Sequence, residues 1–199
     1  MSSIKTLLKF ESLLKKFNSI YRDLESLHTT KQRDNDIEHS YRVAMLCWML
    51  IDEYNFKLDK NKVIRYALLH DLPEVYAGDT SLYASQAKKA KAKKNETRAI
   101  GTLIKKFPKQ KSLWKDLQEY EERENAESRF VYMIEKLEPG LVILLAPPGQ
   151  SIKRKASFEW ANKEKQKKIG HIDTVAQLFN KDLTDYLTKN KKKFWKYNA

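Results

Sequence analysis

His70 and Asp71 stand side by side in the stretch YALLHDLPEVYAGDT, Tyr66 to Thr80, and Glu74 and Asp79 follow within one short turn region. One imidazole and three carboxylates so close together are a set of metal ligands and proton carriers, suited to holding a divalent ion and moving a proton. Each is also a common occupant of a polar helix end, so the stretch gains meaning only from what lies beside it in space. The helix carrying His39 and the helix ending at His70 are joined by a turn of about five residues, and at about 1.5 Å rise per residue their lengths are comparable. Packed as antiparallel neighbours, they put His39 and His70 at the same end of a bundle. A further carboxylate comes from FVYMIEKLEPGLVILL, where Val131, Glu135, Glu138 and Val142 form one stripe beside another of Phe130, Ile134, Leu137 and Leu141. A carboxylate on an apolar stripe needs a partner. Glu135 is expected to be a fourth ligand, the alternatives being an ion pair with a nearby lysine or more exposure than the stripe suggests. His28 and His171 lack such company and are expected to be structural.

The elements that must position these groups read as helices. Ile4, Leu7, Leu8, Leu13, Leu14 and Phe17 predict an amphipathic helix up to about Tyr21. The polar linker HTTKQRDND follows and ends in N-cap residues, Asp34 to Asp36. The next helix, Glu38 to Tyr54, is apolar nearly all round (VAMLCWMLI), which predicts a central place in the bundle. A third helix ends at Asp71, Pro73 suits the first turn of a brief one, and Gly78 breaks it. Helices are further expected over Ser85–Phe107, Lys111–Glu122 and Ala126–Leu145, the last stopped by APPG. A single long helix is expected from Phe158 to about Asn190, fading into the lysine-rich tail KNKKKFWKYNA. No stretch reads as a strand and no segment repeats.

Composition bounds the answer further. A chain of 199 residues has room for one domain with a real core. Five glycines and five prolines against 39 basic and 26 acidic residues describe few turns and many helix formers, so an all-α bundle is expected. A lone Cys47 excludes an internal disulfide and a cysteine-rich zinc site. The net charge of +13 is mostly a C-terminal property, because Ala146–Ala199 alone carries +8. Five of the seven residues Lys88–Lys94 are lysine, which cannot form a core and is expected to be a solvated face. The amino end carries Glu11 and no arginine before Arg22, unlike a transit peptide, and no apolar run is long enough to span a membrane. A soluble, cytoplasmic protein is expected.

Three motifs in order resemble the HD-domain metal-dependent phosphohydrolases, in particular their 5'-deoxynucleotidase-like branch. They are NDIEHS, ALLHDLPEVYAGDT and the segment LWKDLQEYEERENAESRFVYMIEKLEP, within Ile20–Pro139. The resemblance implies one all-α HD-domain bundle over residues 1–190, with a basic tail at 191–199. It implies His39, His70, Asp71 and Glu135 as metal ligands, with glutamate where the family usually has aspartate. It also implies Glu74 and Asp79 as catalytic acids and Arg22 as the substrate-phosphate ligand, with Arg33 competing for that role. A homodimer is a further expectation of the family.

The chemistry that follows is hydrolysis of a phosphate ester, namely the 5'-phosphate of (deoxy)nucleoside monophosphates, by a water bound to Mn²⁺, Co²⁺, Fe²⁺ or Mg²⁺. A rival on the same ligands is removal of triphosphate from dNTPs, or cleavage of another small phosphoester. Guanosine tetraphosphate hydrolysis fits less well, since Glu74 is followed by Val75 rather than by aspartate. A rival of another class is a nucleic-acid-binding or scaffold protein with a decayed site, using Lys88–Lys94 and the aromatic tail residues Phe194, Trp195 and Tyr197.

Overall fold

Asn35 and Glu38 start the helix on which the architecture turns. The Asn35 side chain accepts from the Glu38 N–H at 3.0 Å and Glu38 Oε2 accepts from the Asn35 N–H at 3.2 Å, a reciprocal capping box. In the computed structural model, which describes residues 3–25, 33–81, 84–145 and 157–194, this helix is preceded by a helix and a strand pair. The order is α1 (Ser3–Phe17), β1 (Tyr21–Glu25), β2 (Arg33–Asn35), α2 (Asp36–Glu53), α3 (Lys60–Leu69), α4 (Glu74–Ala77), α5 (Gln86–Lys106), α6 (Lys111–Glu122), α7 (Ala126–Leu145), α8 (Phe158–Ile169) and α9 (Gln177–Phe194). The fold is all-α, as composition and patterning indicate.

Caps set most of the boundaries. Asp59, Ser85 and Ser157 each accept a backbone N–H from the first turn of α3, α5 and α8. Asn125 does the same for α7, accepting from the Ser128 N–H at 2.8 Å. Gly78, at φ 76°, ends α4 in a backbone region that a side chain would strain.

Helices α2, α3 and α7 pack on one another. Their shared core holds Val43, Cys47, Val63, Tyr66, Phe130, Met133, Ile134 and Leu137, with Phe158, Ile169, Leu183 and Leu187 from α8 and α9. Each large apolar side chain buried there contributes about 1.5–3 kcal/mol. A second cluster joins Leu13 and Phe17 of α1 to Leu72, Val75, Leu103, Phe107, Trp114 and Leu117.

The structure corrects four sequence expectations. Helix α1 stops at Phe17, and Tyr21–Glu25 is a strand paired antiparallel with Arg33–Asn35, Tyr21 opposite Asn35. The ladder forms although YRDLE has no clean alternation, because it is tied to the bundle by the Asp36 N–H donating to the Ile20 carbonyl at 3.1 Å. The long final helix is broken at Gly170, where a Cβ would lie 2.7 Å from the Gln166 carbonyl oxygen. Gln177 Nε2 then donates to the Ile169 and Ile172 carbonyls, both at 2.9 Å, so the corner satisfies its own backbone. Helix α2 is not enclosed. Its inner face packs on α3 and α7, while Tyr41, Met45, Trp48 and Met49 remain exposed on the other side. Finally, Lys88, Lys91 and Lys94 are exposed, but Lys89 and Lys93 border a cavity rather than a purely solvated face.

Candidate metal centre and cavity

His39 lies one turn into α2 and is fully buried; His70 follows the last residue of α3 and is buried as well. Their ring centroids are 5.2 Å apart. Each ring is oriented through Nδ1. The Nδ1–H of His70 donates to the Ala67 carbonyl at 2.7 Å, and that of His39 to Glu138 Oε2 at 3.0 Å. This assignment leaves both Nε2 atoms as lone-pair acceptors, and neither has a hydrogen-bond donor, although both are buried. Asp71 Oδ2 completes the convergence, 3.2 Å from His70 Nε2 and 3.7 Å from His39 Nε2.

Glu135 joins from α7. A carboxylate oxygen of Glu135 and one nitrogen each of His39 and His70 all lie within 4.8 Å of one another. The lysine partner expected as the alternative is also present, since Lys136 Nζ donates to Oε2 at 2.7 Å, and the Tyr120 hydroxyl donates to Oε1 at 3.2 Å. Two buried imidazole lone pairs without a donor, facing two carboxylates, are the donor set that a borderline divalent ion takes. The residues therefore fit such an ion.

Beside them Asp36, Asp71 and Glu74 form a second group, again with one oxygen each within 4.8 Å of the others. Both Asp36 oxygens and Glu74 Oε2 are buried without a hydrogen bond. Crowding shows in the acidities. Burial and the Asp71 charge push the Asp36 carboxyl up to about 7, and burial with Asp71, Asp36 and Asp79 raises Glu74 well above the carboxylate range. Burial opposes ionisation of Asp71, but His70 and Arg22 outweigh it and hold this carboxyl far down. Burial likewise works against charge on Arg22, yet Asp71, Asp79, Glu74 and Asp36 overcome it and its pKa is raised. For His39 burial and Arg22 lower the pKa; for His70 burial is outweighed by Asp71 and Glu135.

Arg22 owes its place to the strand pair. From β1 its Nη1 reaches Asp71 Oδ2 at 2.9 Å and Asp36 Oδ1 at 3.7 Å. Arg22, Asp71, Glu74, Asp79 and Glu135 all line one cavity of about 490 Å³, whose size is within the range of small-molecule sites. The Arg33 side chain, His28, Trp195 and Tyr197 lie outside the described residues, as does the Phe194 side chain. His171 is exposed and belongs to neither group of potential ligands.

Sequence reasoning missed several neighbours. Asp36 is one turn before His39, so the i, i+3 spacing was its signal. Glu138 shares the Glu135 stripe and anchors His39, while Arg42 Nε in turn donates to Glu138 Oε1 at 2.6 Å. The basic part of the cavity lining, Lys89 and Lys93 of α5 and Lys165 and Lys168 of α8, had no signal beyond charge.

With the geometry in place, the similarities are informative. The HD-domain family model matches residues 14–176. A Xenopus laevis protein named 5'-deoxynucleotidase HDDC2 is 31% identical over 142 residues, covering 69% of this chain and 67% of its own. The Homo sapiens protein of that name is 26% identical over 153 residues, 76% of this chain and 72% of its own. Among solved structures, a protein of Magnetospirillum magnetotacticum MS-1 described as a predicted metal-dependent phosphohydrolase superposes with TM-score 0.64 at 25% identity, covering 94% of both chains. A Pyrococcus horikoshii protein shares the fold with TM-score 0.63 at 18% identity, over 92% of this chain and 96% of its own.

Proposed function

The chain belongs to the HD-domain family of phosphohydrolases, and from that premise we propose that it cleaves the 5'-phosphate ester of (deoxy)nucleoside monophosphates with a divalent ion held by His39, His70, Asp71 and Glu135. The observation that carries the reading is the pair of buried Nε2 atoms without donors, converging with Asp71 on one point. When bound, such an ion supplies an acidified water and offsets charge on the phosphoryl group.

The remaining work belongs to the side chains. Arg22, whose Nη1 already lies at Asp71, presents its forked donors to the non-bridging phosphate oxygens. Glu74, whose buried Oε2 has no hydrogen bond, takes the proton of the attacking water. Asp79, on the cavity wall after Gly78, positions the leaving 5' oxygen and returns a proton to it. Glu138 holds the His39 tautomer, and Ala67 that of His70, so the Nε2 lone pairs stay aimed at the ion. The nucleoside is accommodated against Tyr132, Phe158 and Leu187.

The finer expectations join this reading. The exposed α2 stripe of Tyr41, Met45, Trp48 and Met49 is the surface on which a second copy docks to form a homodimer, which sedimentation of Trp48→Glu against the parent tests. The nucleotide substrate and the buried thiol of Cys47 suit a cytoplasmic setting. The test of function is product analysis on a panel of nucleoside and deoxynucleoside mono- and triphosphates with Mn²⁺, Co²⁺, Fe²⁺ or Mg²⁺. Inorganic phosphate released from 5'-monophosphates supports the proposal. Tripolyphosphate as the product would move the assignment to a dNTP triphosphohydrolase.

A further inference from the structure

The lining of the cavity is mixed in charge. It includes Asp71, Glu74, Asp79 and Glu135, the groups assigned above to the ion and the scissile phosphate, and also Glu96 and Glu121. It includes as well Lys165 and Lys168 on α8, with Lys89 from α5. Among the described residues, no ion pair engages any of these three lysines. Lys165 Nζ has only a long contact of 3.4 Å to Thr184 Oγ1. Lys168 lies close enough to Lys136 and Lys89 to feel their repulsion, offset in part by Glu135 and Glu164. Both α8 ammonium groups are half-buried, and burial holds each down to about 8. Partly desolvated cations gathered without a direct ion pair are unfavourable unless a further anion neutralises them. The same helices also give the cavity apolar lining, Ala92 from α5 with Phe158 and Ala161 from α8, as a nucleoside requires.

We propose that Lys165, Lys168 and Lys89 form a second phosphate subsite, so that the preferred nucleotide carries a further phosphate group beyond the one being hydrolysed. This rests on the nucleotidase reading for the orientation of the substrate, but the subsite is a property of the α5 and α8 lysines alone. The second phosphate has two possible sources, a 3'-phosphate on the sugar or the β and γ groups of a triphosphate. Both present the same dianionic oxygens to ammonium donors.

The test has two arms. In the first, inorganic pyrophosphate is titrated by calorimetry into metal-free protein at low salt, comparing the parent with Lys165→Met/Lys168→Met and with His70→Ala. Methionine keeps the aliphatic stem and removes a desolvated charge, so the double variant is expected to melt no lower than the parent. Affinity is expected to fall about 10- to 100-fold in the double variant, the loss of hydrogen bonds to charged donors, and to stay unchanged in His70→Ala. Equal affinity in the parent and the double variant overturns the subsite. In the second arm, kcat/KM is compared for a deoxynucleoside 5'-monophosphate, its 3',5'-bisphosphate and its 5'-triphosphate in the metal-loaded enzyme. A preference for the bisphosphate that the double variant loses assigns the 3'-phosphate, and one for the triphosphate assigns the polyphosphate chain. A preference absent from the parent, or kept by the variant, counts against the proposal. Lysine-dependent pyrophosphate binding in a protein that turns over none of the three leaves the subsite standing and removes the nucleotidase reading instead.

Discussion

Glu138→Gln separates the shape of the buried anchor behind His39 from its charge. Glu138 is 1% exposed and uses both oxygens, Oε2 accepting from His39 Nδ1 at 3.0 Å and Oε1 from Arg42 Nε at 2.6 Å. Glutamine fills the same volume but offers one oxygen and one NH₂, so one of the two donors must face another donor. Losing a charge-assisted hydrogen bond costs about 1.5–3 kcal/mol, and a buried donor left unpaired about 1–3 kcal/mol more. The Arg42 side chain is 32% exposed and also pairs with Asp34, so water recovers part of the loss and the net is about 2–4 kcal/mol. For a chain of this length that corresponds to a Tm lower by about 4–16 °C. His39 also loses the partner that fixes its tautomer, which weakens metal binding by about 10- to 100-fold. Thermal melts followed by circular dichroism and Mn²⁺ titration of the stripped protein read the two effects separately. A variant that melts within about 1 °C of the parent and binds Mn²⁺ equally well would refute the assigned role of Glu138.

Asn35→Ala removes the capping box of α2 and is expected to cost about 1–2 kcal/mol, with faster amide hydrogen exchange confined to the first turn that carries Glu38 and His39. Arg22→Lys keeps the charge but loses the fork, so KM for the nucleotide should rise about tenfold with a smaller change in kcat, as steady-state kinetics will show. The α8 lysines give a pH signature. With folded pKa values near 8 against an ordinary lysine value of 10.5, the unfolded chain binds more protons between those limits, so their contribution makes stability rise with pH across that window. Urea melts at a series of pH values should show Lys165→Met/Lys168→Met more stable than the parent below pH about 8, with the gap narrowing as pH rises toward about 10.5; a constant gap would contradict it.

How much of this was legible in the sequence depended on the range of the forces involved. The helix carrying His39, the helix ending at His70 and the helix of Glu135 announce themselves because period, caps and turn residues are local properties. Their antiparallel packing then follows from the short connection, which is why the sequence alone brings His39 and His70 together. The strand pair that delivers Arg22 was invisible, since its formation depends on tertiary attachment at Asp36 rather than on alternation in YRDLE. The corner at Gly170 is stabilised by Gln177 and by the Gln166–Asn180 pair, side chains whose meaning appears only when the chain has turned. The outer face of α2 read as core because apolar content alone does not show which side is covered. Lys165 and Lys168 looked like any basic surface until α5 and α8 were seen to border the same cavity.

The most direct test of the central claim is phosphate release from a deoxynucleoside 5'-monophosphate by chelator-stripped protein, measured before and after Mn²⁺ is restored, with His70→Ala/Asp71→Ala alongside. The account predicts negligible release from the stripped protein, turnover on adding Mn²⁺, and none in the double variant despite a native far-ultraviolet spectrum. Release that persists without metal, or survives the loss of His70 and Asp71, would contradict it.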